Sequence, residues 1–110
     1  MVSGHIQGMA ELISIARTPT NCQMILRLPQ PLVPFIFSKG FIAVDGISLT
    51  VGEVNHTDFS LYLIPETLQV TTLGSRKVGD FINIEMDQQS ISIVQTVERV
   101  LAAKGLIAAN

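Results

Sequence analysis

A few polar side chains lie within otherwise apolar segments, where they could hold or react with a small ligand. Ser48 and Thr50 alternate with apolar residues, so their hydroxyls point to one face of a predicted strand. The full set is His5, Lys39, Ser48, Thr50, Glu66 and Thr67. Directed hydrogen bonds beside an apolar wall suit a neutral, polyhydroxylated or heterocyclic ligand. The same residues are also typical of a solvated outer face, which composition alone favours.

The residue types that other chemistries need are absent or wrongly spaced. His5 and His56 have no metal-ligand spacing to each other or to Cys22, which argues against a zinc or iron site. The sequence contains no glycine-rich phosphate loop and no Gly-x-Ser-x-Gly elbow, which argues against nucleotide and serine hydrolysis. Cys22 alternates with Met24 and Leu26, so we expect a buried, unreactive thiol.

Composition narrows the partners and the compartment. With 110 residues, 47% of them hydrophobic, the chain can close one core, and we expect a single domain over residues 1–110. A net charge of −2 gives no general attraction for nucleic acid or an anionic membrane. The single cysteine suits a reducing cytosol. Because neither a signal peptide nor an apolar run of the ~18 residues of a membrane span is present, we expect a soluble cytoplasmic protein.

Strands must position the polar side chains, and the sequence predicts six of them. Asp45-Gly46 lies between two runs of β-forming residues and predicts a two-residue hairpin turn. Gly8 predicts a bulge or bend in the first strand. The predicted strands cover residues 5–15, 22–28, 41–44, 47–51, 59–64 and 81–86. This pattern favours an all-β, closed antiparallel barrel of six strands.

Two helices and one basic loop complete the prediction. Pro65 fits the first position of a short helix. A longer amphipathic helix over about residues 91–104 carries an apolar stripe, predicted either to mediate self-association or to cap the barrel. The stripe consists of Ile93, Val97, Val100 and Leu101. The loop that contains Arg76 and Lys77 is predicted to be solvated.

Several blocks of this sequence resemble riboflavin synthase, in the C-terminal half of that enzyme. The blocks are residues 3–6, 39–51, 63–68, 71–74, 78–79, 83–87 and 97–99, in the order of the family. The resemblance implies a six-stranded Greek-key barrel followed by a C-terminal helix, one of two such barrels in a chain that assembles as a trimer. It implies that each barrel binds one 6,7-dimethyl-8-ribityllumazine. A four-carbon unit then passes between two lumazines on facing barrels, giving riboflavin and a ribitylamino-pyrimidinedione without a metal or organic cofactor.

The resemblance also implies which residues contact the substrate. The binding residues it implies are Gly4, His5, Ile6, Lys39, Ser48, Leu49, Thr50, Tyr62, Leu63, Ile64, Pro65, Glu66 and Thr67. Proton transfer from the acidic 7-methyl group of a lumazine would fall to His5, Lys39, Ser48 or Asp87. Each also has a structural alternative, such as a helix cap for Asp87 and a solvated side chain for Lys39 or His5.

The N-terminal barrel of the family has no counterpart in this sequence. Met1-Val2 directly precedes the first matching block, as expected of an excised domain or of a natural single-barrel relative. We therefore expect either half of a riboflavin synthase site, completed by an N-terminal barrel or by a second copy in a dimer or trimer, or a protein that binds lumazine or flavin without turnover. An oligonucleotide-binding barrel is disfavoured by the absence of tryptophan, the single tyrosine and the negative charge.

Overall fold

Alternating apolar residues form a seven-stranded antiparallel sheet in the computed structural model, which describes residues 6–105. The strands are β1 (Gln7–Arg17), β2 (Cys22–Arg27), β3 (Phe41–Val44), β4 (Ile47–Thr50), β5 (Val54–Asn55), β6 (Asp58–Leu63) and β7 (Phe81–Met86). The predicted hairpin is confirmed: Ala43 pairs with Ser48, and Asp45 and Gly46 both have positive φ. A 3-10 helix over Gln30–Phe35 occupies the proline-rich segment.

The order of the strands makes the sheet curl. They lie in the order β4-β3-β7-β1-β2-β6-β5, so β4 and β5 are at opposite edges of the sheet. Only residues 51–53 join these two strands along the chain, which brings the edges together. The prediction of six strands is wrong, because β5 turns back on β6 through His56, whose φ is +57°. A two-residue strand is too short to show any alternation in the sequence.

The inward face of the sheet holds a continuous apolar core. Phe59, Leu12, Met24, Leu26 and Ile82 are among its fully buried side chains. Cys22 belongs to this core at 1% exposure, as predicted. The irregularity in β1 lies between Leu12 and Ser14 and not at Gly8, so that prediction is wrong. Gly8 instead allows the Leu32 side chain to approach the backbone of β1 closely, since a Cβ at this position would lie 2.7 Å from Leu32 Cδ1.

One α-helix lies between β6 and β7 in the chain, and a second follows β7. α1 (Pro65–Val70) begins with proline as predicted, and α2 (Gln88–Ala103) starts directly after β7. Ser90 and Ile91 are buried, whereas Ile93, Val97 and Val100 are about half exposed. The stripe therefore does not cap the sheet, which excludes that alternative. In residues 6–105, no helix is both long and apolar enough to cross a membrane.

Candidate functional site

One edge of β4 is unpaired over most of its length. Val51 donates to the carbonyl of Gly40 and accepts from Lys39 N, so its polar backbone groups face β3. Backbone groups alternate sides along an antiparallel strand, so those of Thr50 and Ser48 point away from β3. Gly52 is the next residue whose backbone points away from β3, and its amide donates to Ser60 O on β6 over 2.8 Å. Among residues 6–105, no backbone hydrogen bond joins β4 to β6 between Thr50 and Ser48.

The second half of β6 faces this open edge. Alternation from the Leu28 N–Thr57 O hydrogen bond directs the backbone groups of Leu61 and Leu63 toward β2, whereas those of Ser60 bond to residues 52 and 53. By the same alternation, the backbone groups of Tyr62 and Ile64 point toward β4. Both of these side chains are about half exposed. The open edge is thus a groove between Ser48 and Thr50 on one side and Tyr62 and Ile64 on the other.

A hydrogen-bonded cluster closes the groove where β4 ends. Tyr62 donates its phenol to Glu53 Oε1 over 2.5 Å and accepts from Gln23 Nε2 over 2.9 Å. The buried hydroxyl of Ser60 accepts from the amide of Glu53 over 2.9 Å. These contacts fix the Tyr62 ring beside Gly52. Sequence reasoning did not identify Glu53 or Gln23, because no motif marks a side-chain contact between neighbouring segments of a sheet.

The start of α1 forms the continuation of the β6 side. Its first-turn amides are not all free to bind a ligand, because Thr67 N and Leu68 N both donate to Ile64 O, at 3.1 and 3.4 Å. Glu66 is exposed, and Pro65 and Thr67 are partly buried. Leu63 is buried at 2% exposure, so its side chain belongs to the core. Leu49 and Ile6 are partly buried against the same core.

The predicted catalytic residues fall into two places. Ser48 and Asp87 line one pocket of about 150 Å³, together with Glu85 and Phe41. Asp87 also caps α2, where its carboxylate accepts from Ser90 N over 3.2 Å. Lys39 lies beside Val51, directly after the C-terminal end of β4, and has an exposed side chain and a φ of +66°. The predicted residues Gly4 and His5 lie outside the described residues.

Two ion pairs join parts of this region. Arg27 donates from Nε to Asp58 over 3.0 Å, linking β2 to β6, and this hydrogen bond holds the pKa of Asp58 below its ordinary value. Arg76 donates to Asp45 Oδ2 from Nε and Nη2 at 2.9 and 2.6 Å. The prediction of a solvated basic loop is therefore wrong for Arg76, which binds the hairpin turn.

Comparison with known proteins gives consistent matches over nearly the whole chain. The family described as Lumazine binding domain matches residues 3–87. Riboflavin synthase of Escherichia coli (strain K12) is 50% identical over 105 residues, covering 94% of this chain and 49% of that protein. Riboflavin synthase of Chlamydia pneumoniae is 45% identical over 105 residues, covering 96% and 50% respectively. The chain spans about half the length of these curated relatives.

Solved structures share the fold. LumP complexed with flavin mononucleotide has a TM-score of 0.71 at 21% identity, covering 74% of this chain and 46% of that one. LumP complexed with riboflavin has a TM-score of 0.68 at 24% identity, covering 74% and 44%. At these identities the likeness establishes the curled sheet and carries no residue-level assignment.

Proposed function

Because the chain belongs to the lumazine-binding domain family, we propose that it binds 6,7-dimethyl-8-ribityllumazine or riboflavin in the groove between β4 and β6. The observation that carries this proposal is the unpaired edge of β4 at Ser48 and Thr50, which faces Tyr62 and Ile64. Unpaired backbone groups at such an edge gain free energy when a ligand supplies partners.

The chemistry of the ligand fits a strand edge. The pyrimidinedione ring of a lumazine or flavin presents a carbonyl, an N–H and a second carbonyl along one side. A strand edge presents amides and carbonyls in alternation, so the ring can pair with it as a short strand would. The Ser48 and Thr50 hydroxyls project from the same strand and can bind the ribityl hydroxyls. Tyr62 and Ile64 provide apolar surface for the ring faces.

For the reaction, we propose the dismutation in which two lumazines give riboflavin and 5-amino-6-ribitylaminopyrimidinedione. The carbon acid is the 7-methyl group of one lumazine, and the second lumazine must be held against it, which requires a second barrel. Ser48 and Asp87 line one pocket and are therefore the candidates that could act on the same proton. Lys39 and His5 complete the proposed set of acid–base residues.

The second barrel comes from an N-terminal barrel or from another copy of this chain. The described chain spans about half the length of its curated relatives, so we propose that one copy supplies half of a site. Ile93, Val97 and Val100 lie at i, i+4 and i+7 on α2 and are about half exposed. Such a stripe packs against other helices, which supports a dimer or trimer. We further propose a cytoplasmic location and a closed Greek-key barrel, in which the Gly52–Ser60 hydrogen bond joins the edges of the seven-stranded sheet.

The chain spans about half the length of its curated relatives, which favours a second candidate function. In this candidate, one copy binds lumazine without turning it over. Both candidates require the same groove. They differ in whether riboflavin forms when the concentration is high enough for copies to associate. Ligand binding alone therefore tests the groove, and product formation tests the reaction.

The experiment titrates the protein with dimethyl-ribityllumazine by fluorescence and follows riboflavin formation by absorbance. The Thr50→Pro variant removes one amide that faces the groove and leaves the β3 ladder intact, because proline is tolerated where the N–H faces away from the sheet. We expect about tenfold weaker binding with a native circular dichroism spectrum. Thr50→Val is the matched control for the hydroxyl, since it keeps the amide.

Each outcome decides between the candidates. Saturable binding with riboflavin formation supports the enzyme, and saturable binding without it at high concentration supports the binding protein. Absence of binding by the wild type, or unchanged binding by a folded Thr50→Pro variant, would overturn the groove assignment.

A further inference from the structure

The turn of the β3–β4 hairpin carries a carboxylate with three side-chain hydrogen bonds on one oxygen. Asp45 Oδ2 accepts from Arg76 Nε at 2.9 Å, from Arg76 Nη2 at 2.6 Å and from Thr72 Oγ1 at 3.1 Å. The Asp45 side chain is only 6% exposed, and that of Arg76 is 31% exposed. A hairpin tip is ordinarily solvated, so this degree of burial requires an explanation.

Turn chemistry alone does not explain these contacts. Asp45 has a φ of +50° and Gly46 a φ of +80°, as a type I′ turn requires. Asparagine is equally suitable at the first of these positions and carries no charge. The amide of Asp45 donates to Asn83 O over 2.8 Å, which already fixes the turn on β7. The carboxylate is therefore used to hold something other than the turn.

The partners of Asp45 belong to the opposite side of the groove. β4 begins at Ile47, directly after the turn. Thr72 opens a 3-10 helix that follows α1, and α1 begins directly after Ile64 on the β6 side. Leu73, between Thr72 and Arg76, is fully buried and anchors this segment in the core. The three hydrogen bonds thus tie the start of β4 to an anchored segment across the groove.

The open edge of β4 is consequently fixed at both ends and free between them. At one end, Gly52 N and Glu53 O bond to Ser60. At the other end, Asp45 bonds to Arg76 and Thr72. Between these points, β4 is paired on the β3 side alone. Its distance from β6 is therefore determined by the two end contacts.

We infer that Asp45, Arg76 and Thr72 form a brace that sets the width of the ligand groove, and that these three are positioning residues for a flat heterocycle. This inference rests on the proposed function, because it assigns the brace to that groove. A planar ring paired along β4 must also contact Tyr62 and Ile64 on the β6 side. In a wider groove the ring cannot reach both sides, so it loses its contacts with one of them. The brace contacts no ligand itself and acts through the position of β4.

The test measures the affinity for dimethyl-ribityllumazine in Asp45→Asn, Arg76→Gln and the double variant, with the fluorescence anisotropy of the bound ligand. Asp45→Asn keeps a residue that tolerates the turn. We expect each single change to weaken binding by about tenfold, and the double change to cost little more, because one ion pair is lost in every case. Anisotropy at saturation should fall, since a wider groove holds the ring less tightly.

The matched control is the ion pair between Arg27 and Asp58, which joins β2 to β6 away from the groove. Arg27→Gln and Asp58→Asn should leave the affinity within about twofold of the wild type, whatever they do to the melting temperature. Folded brace variants with wild-type affinity and anisotropy would overturn the inference. If Asp45→Asn does not fold, Thr72→Val removes one of the three donors and should still lower affinity.

Failure of the proposed function would be recognised separately. If the wild type binds lumazine and the brace variants bind equally well, the groove stands and the brace does not. If the wild type binds no lumazine, the proposed function falls. The brace is then judged by hydrogen exchange at the Ile47 and Leu49 amides, which pair with β3. Faster exchange in Asp45→Asn than in Asp58→Asn would retain the brace as a restraint on β4, and equal exchange would reject it.

Discussion

Gly52 lies so close to Ser60 that no side chain fits between them. A Cβ at Gly52 would lie 2.5 Å from Ser60 Oγ and 2.8 Å from Tyr62 Cε2. This close approach is what allows the chain leaving β4 to join β6 and end the groove. The glycine is required here for space, whereas Gly46 is required for its positive φ.

Gly52→Ala is expected to lower the free energy of unfolding by about 1–3 kcal/mol, because the added methyl overpacks a closed contact. Gly46→Ala is expected to cost about 1–2 kcal/mol through its positive φ, with open space around the new methyl. Urea denaturation measures both. Asparagine separates the backbone cause from the steric cause. Gly46→Asn should be more stable than Gly46→Ala, and Gly52→Asn should be less stable than Gly52→Ala. Equal recovery at both positions would contradict the steric account.

Asp87 has a structural role that can be separated from its proposed role in proton transfer. Asp87→Ala should lower the free energy of unfolding by about 0.5–2 kcal/mol, because Ser90 N loses the cap of α2. Asp87→Ser keeps a capping oxygen and removes the carboxylate, so it should retain stability. If Asp87 also handles protons, Asp87→Ser loses riboflavin formation while remaining as stable as the wild type. Full turnover by Asp87→Ser would leave this residue as a helix cap only.

The exposed stripe of α2 predicts how the chain associates. Val97→Asp places a charge where an apolar contact is proposed, so self-association should weaken by at least about tenfold. The monomer should remain folded, because Val97 is 51% exposed. Sedimentation velocity at several concentrations measures the change. Gln95→Asp introduces the same charge on the opposite side of α2 and is expected to sediment like the wild type; equal dissociation of both variants would argue against the stripe.

The ion pair between Arg27 and Asp58 predicts a pH dependence of stability. The hydrogen bond from Arg27 lowers the pKa of Asp58 below its ordinary value of 3.8 in the folded state. A carboxyl group with a lowered pKa stabilises the folded state fully when the pH is above the pKa of that group in the unfolded chain. This stabilisation is lost as the pH falls toward its pKa in the folded state. The stability difference between the wild type and Asp58→Asn should therefore be constant above about pH 5 and shrink below about pH 4. In an Arg27→Gln background, urea denaturation should show a weaker trend, because the hydrogen bond from Thr57 still lowers the pKa of Asp58.

The sequence predicted those parts of the fold that depend on local pattern. Asp45-Gly46 gave the hairpin, and Pro65 gave the start of α1, because turn and helix-start preferences act over a few residues. The burial of Cys22 followed from alternation alone. β5 was missed since two residues, Val54 and Asn55, carry no pattern. The bulge was misplaced because a glycine can also serve a close approach, as Gly8 does against Leu32.

The sequence indicated which residues share a strand face but not the geometry of the groove. The pairing of Ser48 and Thr50 on one strand face follows from period two, and the structure adds that their backbone groups are unpaired. Contacts between distant segments, such as Tyr62 with Gln23 and Asp45 with Arg76, have no local signature. The structure likewise adds that the Thr67 amide donates to Ile64 O over 3.1 Å, which a list of implied binding residues does not reveal.

An unpaired strand edge is also a place where a foreign chain can add a strand and begin aggregation. β4 has four residues, so the edge is about 13 Å long at ~3.3 Å per residue. That length matches a two-ring heterocycle with a short polyol and is too short for stable addition of a peptide strand. The short length of this edge thus protects the protein in its empty state. A longer hairpin would lower the selectivity of this edge for small molecules and raise the susceptibility of the protein to fibril formation.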